Sequence, residues 1–557
     1  MTRTFPAAAQ TSQHASDVAM TMPALLERAV ATRPDGAAFV FPDRRESYSQ
    51  VHAESTTIAR ALVAAGVRRG DAVGLLMPNC LDFVHVMFGA AMAGALLVPI
   101  NSRLAPRELL HVITDSGMTV LFASDIADEF ANHVERLYAA LPGLSDAEVG
   151  SSATSAAAPA LTSVALLGRR RVAGMLGRQE VSDLADAVAV ERIGEIAHAV
   201  TPADPYIMMY TSGTTANPKG CPLNHGAVAR TGLQIGREIF ALTESDVLWN
   251  PLPLFHVSAQ APLVGVVDAA ATYVAMTHFS PDGALRTIVD EGSTIIWPAY
   301  PTILGPLLGH RDYAPDTFRT VRGVLTVGPP DLLRGYQEKL PYSAHISCYG
   351  STELGGVATM GRLEDPLEER LTAGKPLDGV QIKIVDIFTR QPVPAGEVGV
   401  LVTRGTHLFN GYHNDPEKTD RSFDADGWFD TGDLASIDAR GNLTYQGRAK
   451  DMLKVGGENV GCVEVESYLA SHPAVLLAAV VGIPDDKYDE VPVAFVEKVD
   501  GGEVTAHELI EFCRAGLAKY KVPREVHFVT EWPMSVTKVQ KFKLRDELLK
   551  SRTTPTT

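Results

Sequence analysis

Tyr206-Ile207-Met208-Met209-Tyr210-Thr211-Ser212-Gly213-Thr214-Thr215-Ala216-Asn217-Pro218-Lys219-Gly220 is the stretch whose reading decides the fold of this chain. Tyr206 to Met209 is a short apolar run of strand type. The residues after it are small or hydroxyl-bearing, with a single lysine. Backbone N–H groups, hydroxyls and an ammonium gathered in one loop after a strand can converge on phosphate oxygens. The same composition also suits a flexible Ser/Thr/Gly turn. A Walker A loop is excluded, because GxxxxGK[ST] is absent.

Upstream, short apolar runs alternate with helical patterns. Ile58 to Gly66 has helical spacing with Gly66 as its C-cap, and Asp71 to Met77 reads as a strand. Leu81 to Gly94 reads as a helix leading into the strand Ala95 to Ile100; Pro106 to Ser116 and Thr119 to Ala123 repeat the pair. The stretch Phe83 to Ile100 holds His85, two glycines and Pro99, so it is read as a buried helix running into a strand, not a membrane span. This alternation predicts an α/β layer architecture with a largely parallel sheet.

Residues 1–20 read as a loose tail, with ordered pattern from near Met22. Leu141 to Ala160 is dominated by Ala, Ser, Gly and Thr and is followed by Arg169-Arg170-Arg171, which predicts a surface insertion. Between Thr372 and Tyr445 apolar residues alternate: Val380, Ile382 and Ile384, then Val398, Val400 and Val402. This predicts a small antiparallel β unit over about 372–445. After Gly447 the pattern is mixed α+β to the end. The predicted organisation is a tail, a large unit over 21–447 and a small one over 448–557.

The 557 residues correspond to about three or four domain-sized units. Hydrophobic residues make up 46%, which is ordinary for a globular protein. The net charge of −17 argues against a general nucleic-acid binder, while leaving room for a local positive cradle. Cysteines 80, 221, 348, 462 and 513 are odd in number and form no CxxC pair, which argues against a disulfide framework or structural zinc and fits a cytoplasmic protein. The N-terminus has no apolar stretch suited to a signal peptide.

Two further motifs carry chemistry. In Tyr349-Gly350-Ser351-Thr352-Glu353 a glutamate in a tight segment can ligate Mg²⁺ beside phosphate oxygens, or simply be solvated. In Gly427-Trp428-Phe429-Asp430-Thr431-Gly432-Asp433-Leu434, followed by Gly447-Arg448-Ala449-Lys450-Asp451, Asp433 can accept both hydroxyls of a ribose and Arg448 can add a donor. A hairpin turn with a surface ion pair is the plainer alternative. No GxSxG elbow or GxGxxG fingerprint occurs, and His507-Glu508-Leu509-Ile510-Glu511 lacks the second histidine of a zinc protease.

Taken in order, these segments resemble the adenylate-forming superfamily of acyl-CoA synthetases, nonribosomal adenylation domains and luciferases. The resemblance runs from about Pro23 to Leu548 and includes Asn101–Leu109, Pro251-Leu252-Pro253-Leu254-Phe255-His256, Gly328-Pro329-Pro330 and Lys454-Val455-Gly456-Gly457-Glu458-Asn459-Val460. It implies a ligase that uses ATP, Mg²⁺ and CoA on a small carboxylic acid, with a carrier-protein pantetheine as the alternative thiol. Thr211, Ser212, Gly213, Thr214, Thr215 and Lys219 would hold the ATP phosphates. Gly328, Pro329 and Pro330 would line the adenine, with Tyr349 stacking nearby. Thr352 would touch the α-phosphate, Glu353 would bind Mg²⁺, and Asp433 and Arg448 would take the ribose. His256 would sit by the carboxylate and gate the thiol route.

The resemblance also implies a mobile small domain with Lys450 at the hinge. Its rotation would exchange the adenylating lysine for the Gly456-Gly457 strand at the thiol tunnel. The lysine is placed at Lys538, although Pro533-Met534-Ser535-Val536-Thr537-Lys538 is one residue shorter than the usual pattern and lacks its glycine. Ala216 is a second, smaller departure. Val257 to Gln260, Ala299, Tyr300, Gly355 and Gly356 would surround the acyl group. Pro253 to Val267 contains no acidic residue, which favours an acid without a free α-amine.

Overall fold

A computed structural model describes residues 20–211, 218–455, 458–485, 487–499, 501–534 and 539–553. The expected α/β layering is present. One six-stranded sheet runs in the order Ser163–Leu166, Val120–Ala123, Ala72–Leu76, Leu96–Pro99, Pro205–Thr211, Lys219–Asn224, and only its last pair is antiparallel. A seven-stranded sheet has the order Ala344–Ile346, Gly323–Thr326, Ile295–Ala299, Val247–Trp249, Thr272–Val274, Ala37–Val40, Arg45–Ser47, again parallel except for the closing hairpin.

The helices between the strands carry apolar residues on the faces that meet these sheets. Tyr48–Ala64 starts on a Ser47/Gln50 capping box and is followed by Gly66 at φ +87°, the left-handed position a β-carbon disfavours. Leu81–Met92 is buried along its whole length and leads into Leu96–Pro99, as the apolar run Phe83 to Ile100 predicted. Among the described residues, no helix is long and apolar enough to cross a membrane. All five cysteines are free.

The segment between Leu141 and Ala160 corrects the sequence reading. Leu141, Leu144, Ala158 and Leu161 are buried in the core under the Val120–Ala123 and Ser163–Leu166 strands. Tertiary packing claims this stretch although its apolar residues follow neither a helical nor a strand period. Arg170 is bound to Asp125 and Asp128, and Arg171 to Glu180.

An antiparallel sheet and a mixed sheet follow. Val380–Val385, Gly399–Gly405, Phe429–Ile437 and Leu443–Arg448 form a four-stranded sheet. Its second strand departs from the expected alternation. Val398 lies outside it and is exposed, while Val400, Leu401 and Val402 are all buried, so the strand is covered on both faces. Beyond Arg448, Met452–Val455, Glu458–Gly461, Val475–Asp485, Asp489–Lys498 and Glu525–Phe528 form a further sheet. Cys462–Ala470 and Ala506–Gly516 share a core with this sheet, and Lys541–Thr553 contributes Leu544 to a second core with Val481, Val493 and Phe495.

Candidate active site

The apolar run Tyr206 to Met209 lies inside the strand Pro205–Thr211, and Thr211 pairs with Lys219 at the start of the antiparallel return strand. The loop is therefore pinned at both ends. Tyr210 donates its hydroxyl to Asp115 Oδ2 at 2.6 Å, and His111 Nε2 lies 3.0 Å from the Pro218 carbonyl. Ser212, Gly213, Thr214 and Thr215 lie outside the described residues, as do Gly456, Gly457 and Lys538. Lys450 is described in its backbone, within the turn Ala449–Asp451 that follows Arg448.

Tyr349 and Glu353 stand on one tight segment. Cys348–Tyr349 is a two-residue strand, and the turn Thr352–Leu354 follows it. Gly350 has no room for a side chain: an added β-carbon would lie 1.9 Å from the Gly356 carbonyl oxygen. The Phe409 N–H donates to the Glu353 carbonyl at 3.0 Å, and the Tyr412 hydroxyl donates to Glu353 Oε1 at 3.0 Å. The His413 N–H donates to the Gly220 carbonyl at 2.9 Å, which ties the same segment to the base of the loop.

Asp433 and Arg448 face each other in register on adjacent antiparallel strands. Arg448 Nε lies 2.9 Å from Asp433 Oδ1, and the Tyr349 hydroxyl donates to Asp433 Oδ2 at 2.6 Å. Asp433 is only 3% exposed. Burial and the Asp433 carboxylate together push the Tyr349 hydroxyl well above its ordinary range, so it remains a donor. The Tyr349 and Tyr445 rings stack with centroids 6.0 Å apart.

His256 is the N-cap of the helix Val257–Asp268. Its Nδ1 lies 2.7 Å from Ser258 Oγ and accepts from the Ser258 N–H at 3.3 Å. An accepting Nδ1 places the neutral ring's proton on Nε2. Asn79 holds the approach to this residue, with Nδ2 donating to the Leu252 carbonyl at 2.9 Å and Oδ1 accepting from Leu254 N–H at 2.7 Å. Gln260, expected beside the acyl group, is instead a core residue: it donates to the Leu254 carbonyl and accepts from Tyr206. Ala299 ends its strand at φ +57°, a left-handed conformation that turns the chain into Tyr300. Gly328 follows the strand Gly323–Thr326, Pro329 is an N-cap, and Pro330 is the first residue of the helix Pro330–Lys339.

The structure thus joins Tyr349, Asp433 and Arg448 in one group through a hydrogen bond and an ion pair, with Glu353 one turn beyond Tyr349. Tyr412, Tyr445 and Lys418 belong to the same surroundings, Asn79 to the turn before His256, and none was read from the sequence. The Gly411-Tyr412 pair and the acidic cap Asp415-Pro416 were the available signals, but neither resembles a catalytic motif by itself.

The family model for AMP-binding enzymes matches residues 26–413, and that for the AMP-binding enzyme C-terminal domain matches 464–541. This chain belongs to the AMP-binding enzyme family. This AMP-binding enzyme is 33% identical to the long-chain-fatty-acid–CoA ligase FadD13 of Mycobacterium tuberculosis, over 94% of this chain and 97% of that protein. Its fold is similar to that of the anthranilate CoA ligase AuaEII in complex with anthranoyl-AMP, with a TM-score of 0.84, 28% identity, and coverage of 97% of this chain and 100% of the other. ATP-bound MatB from Rhodopseudomonas palustris is likewise similar, with a TM-score of 0.79, 26% identity, and coverage of 95% and 99%.

Proposed function

We propose that this AMP-binding enzyme is an AMP-forming acid–CoA ligase. It condenses a carboxylic acid with ATP, releases pyrophosphate, and passes the acyl group from the adenylate to the thiol of CoA with loss of AMP. The observation that carries the reading is the group Tyr349–Asp433–Arg448, held by a hydrogen bond and an ion pair and set beside Glu353 and the pinned ends of the Thr211–Lys219 loop. A carboxylate, a guanidinium and an aromatic ring suit a ribose and its base, while the loop suits the phosphates.

In this reading Thr211, Ser212, Gly213, Thr214, Thr215 and Lys219 donate to the phosphates. Gly328, Pro329, Pro330 and Tyr349 receive the adenine, and Thr352 reaches the α-phosphate. Glu353 is a hard carboxylate with Oε1 fixed by Tyr412, a donor set that fits Mg²⁺ shared with phosphate oxygens. Bound there, the metal supplies neutralising charge to the phosphates. Lys538 brings a positive charge to the attacked phosphorus. His256, protonated at Nε2, donates to the acid's carboxylate and orients it for attack. Rotation at Lys450 then withdraws Lys538 and brings Gly456 and Gly457 to the thiol's path.

The acid is one without a free α-amine, since Pro253 to Val267 offers no carboxylate to hold an ammonium. CoA is the acceptor in preference to a carrier protein, in line with the CoA ligases this chain is similar to. The free cysteines suit a cytoplasmic enzyme. A panel of aliphatic and aryl acids, scored for AMP with and without CoA, tests the reading. AMP and an acyl-CoA should form together with at least one acid class. Formation of ADP, or no AMP with any acid, overturns it.

A further inference from the structure

The nucleotide reading above gives the phosphate loop one lysine, Lys219. The structure brings a second ammonium to the same place. Lys418 lies in the short helix Pro416–Ser422, whose start is capped by Asp415: the Lys418 N–H donates to Asp415 Oδ1 at 3.0 Å. The segment is closed on itself by the Tyr412 N–H, which donates to Thr419 Oγ1 at 2.9 Å. The Lys418 ammonium sits 4.5 Å from the centroid of the Tyr412 ring, and that same tyrosine donates its hydroxyl to Glu353. Lys219 precedes Gly220, whose carbonyl accepts from the His413 N–H at 2.9 Å, so the two lysines stand on segments that are tied together.

Two lysines from separate elements therefore stand on segments joined at Tyr412 and His413, beside one glutamate. The packing around them is specific. Tyr412 holds Glu353 with its hydroxyl and Lys418 with its ring face, a cation–π contact that orients the ammonium. His413, the next residue, is bonded to the Gly220 carbonyl, so Lys418 and Lys219 are fixed to one framework. Burial first, and Lys219 second, push the Lys418 ammonium down to about 8, and Glu353 and Asp415 only partly offset them. A polyanion lying between the two lysines turns their repulsion into a clamp.

We propose that Lys418 is a second phosphate-binding residue, which together with Lys219 brackets the β- and γ-phosphates of ATP and holds pyrophosphate as it leaves. The inference rests on the nucleotide reading of the site. It makes a distinction that reading does not: Lys418 serves ligands with a pyrophosphate end and is indifferent to AMP.

Isothermal titration of the full chain with ATP, inorganic pyrophosphate and AMP tests this, using Lys418→Ala, Lys418→Arg and Lys219→Ala. Lys418→Ala should weaken ATP and pyrophosphate by about 10- to 100-fold, the range for one charge-assisted contact, and leave AMP within about 2-fold. Lys418→Arg should restore most of the ATP affinity while AMP stays unchanged. If Lys418→Ala alters ATP and AMP alike, or alters neither, Lys418 only packs against Tyr412 and the proposal is overturned. Lys219→Ala separates the two levels. If it selectively weakens ATP and Lys418→Ala does not, the clamp alone fails; if neither variant separates ATP from AMP, the phosphate-loop reading fails with it.

Discussion

Asp433 shows what a single residue contributes here. Both its oxygens are engaged, one by the Tyr349 hydroxyl and one by Arg448, so its carboxylate is fixed before any ribose arrives. Asp433→Ala should therefore weaken AMP and ATP equally, by about 1–3 kcal/mol in a binding titration, since ribose hydroxyls lose their acceptor. Unchanged affinity for both nucleotides contradicts the assignment. Glu353→Gln should instead shift the Mg²⁺ dependence of turnover upward, because a hard anionic ligand is replaced by a neutral amide; an identical Mg²⁺ titration in the variant counts against it. At this scale the sequence was informative where chemistry concentrates in one stretch. Tyr349, Glu353, Asp433 and Arg448 could be named from two motifs. Tyr412 and Tyr445 could not, because each reaches the site only when distant strands and turns are folded together.

The same limit governs the elements. Strand–helix alternation with strong apolar contrast, as in Leu81–Met92 and Leu96–Pro99, was legible from the pattern alone. The segment around Leu144, Ala158 and Leu161 was not, because its few apolar residues are claimed by tertiary packing without any local period. Near the C-terminus Met534 pairs with Val539, and the Gln540 N–H donates to the Pro533 carbonyl at 2.7 Å, so the chain on either side of 535–538 runs side by side. Lys541 then forms an ion pair with Glu466 at 2.5 Å, and Glu466 also accepts from the Val480 N–H. Lys541 is thus engaged inside the C-terminal unit. Lys538→Ala should cut adenylation by several orders of magnitude and spare thioester formation from supplied acyl adenylate. Lys541→Ala should act mainly on stability, lowering the denaturation midpoint of the C-terminal unit. The reverse pattern, with Lys541→Ala abolishing adenylation and Lys538→Ala mild, would place the lysine wrongly. Lys450→Pro fixes φ at the proposed hinge and should depress one half-reaction far more than the other; equal mild losses move the hinge elsewhere.

At the scale of the whole molecule, three of the buried histidines are neutral. Burial pushes His345 down to about 3 and His225 and His407 down to about 4. In the unfolded chain each takes up a proton near 6.5, so between about 4 and 6.5 the unfolded state holds more protons. Stability should fall as pH drops through that window, by about 1 kcal/mol per unit for each histidine, and urea midpoints at pH 6.5, 5.5 and 4.5 measure it. Equal midpoints contradict the prediction. His85 works in the opposite sense: although burial opposes it, Asp82 and Glu46 hold its imidazolium above the ordinary value, so its share is lost as pH rises above 6.5. These terms depend on burial of isolated side chains, which no motif reveals, whereas the overall α/β architecture and the family were legible in the ordered motifs. The central claim is that this fold activates a carboxylic acid by attack on the α-phosphorus of ATP. Acid-dependent exchange of labelled pyrophosphate into ATP, measured without CoA across an acid panel, tests it most directly. The account predicts exchange in the wild type that disappears in Lys538→Ala. No exchange with any acid by the folded enzyme, or full exchange in the variant, would contradict it.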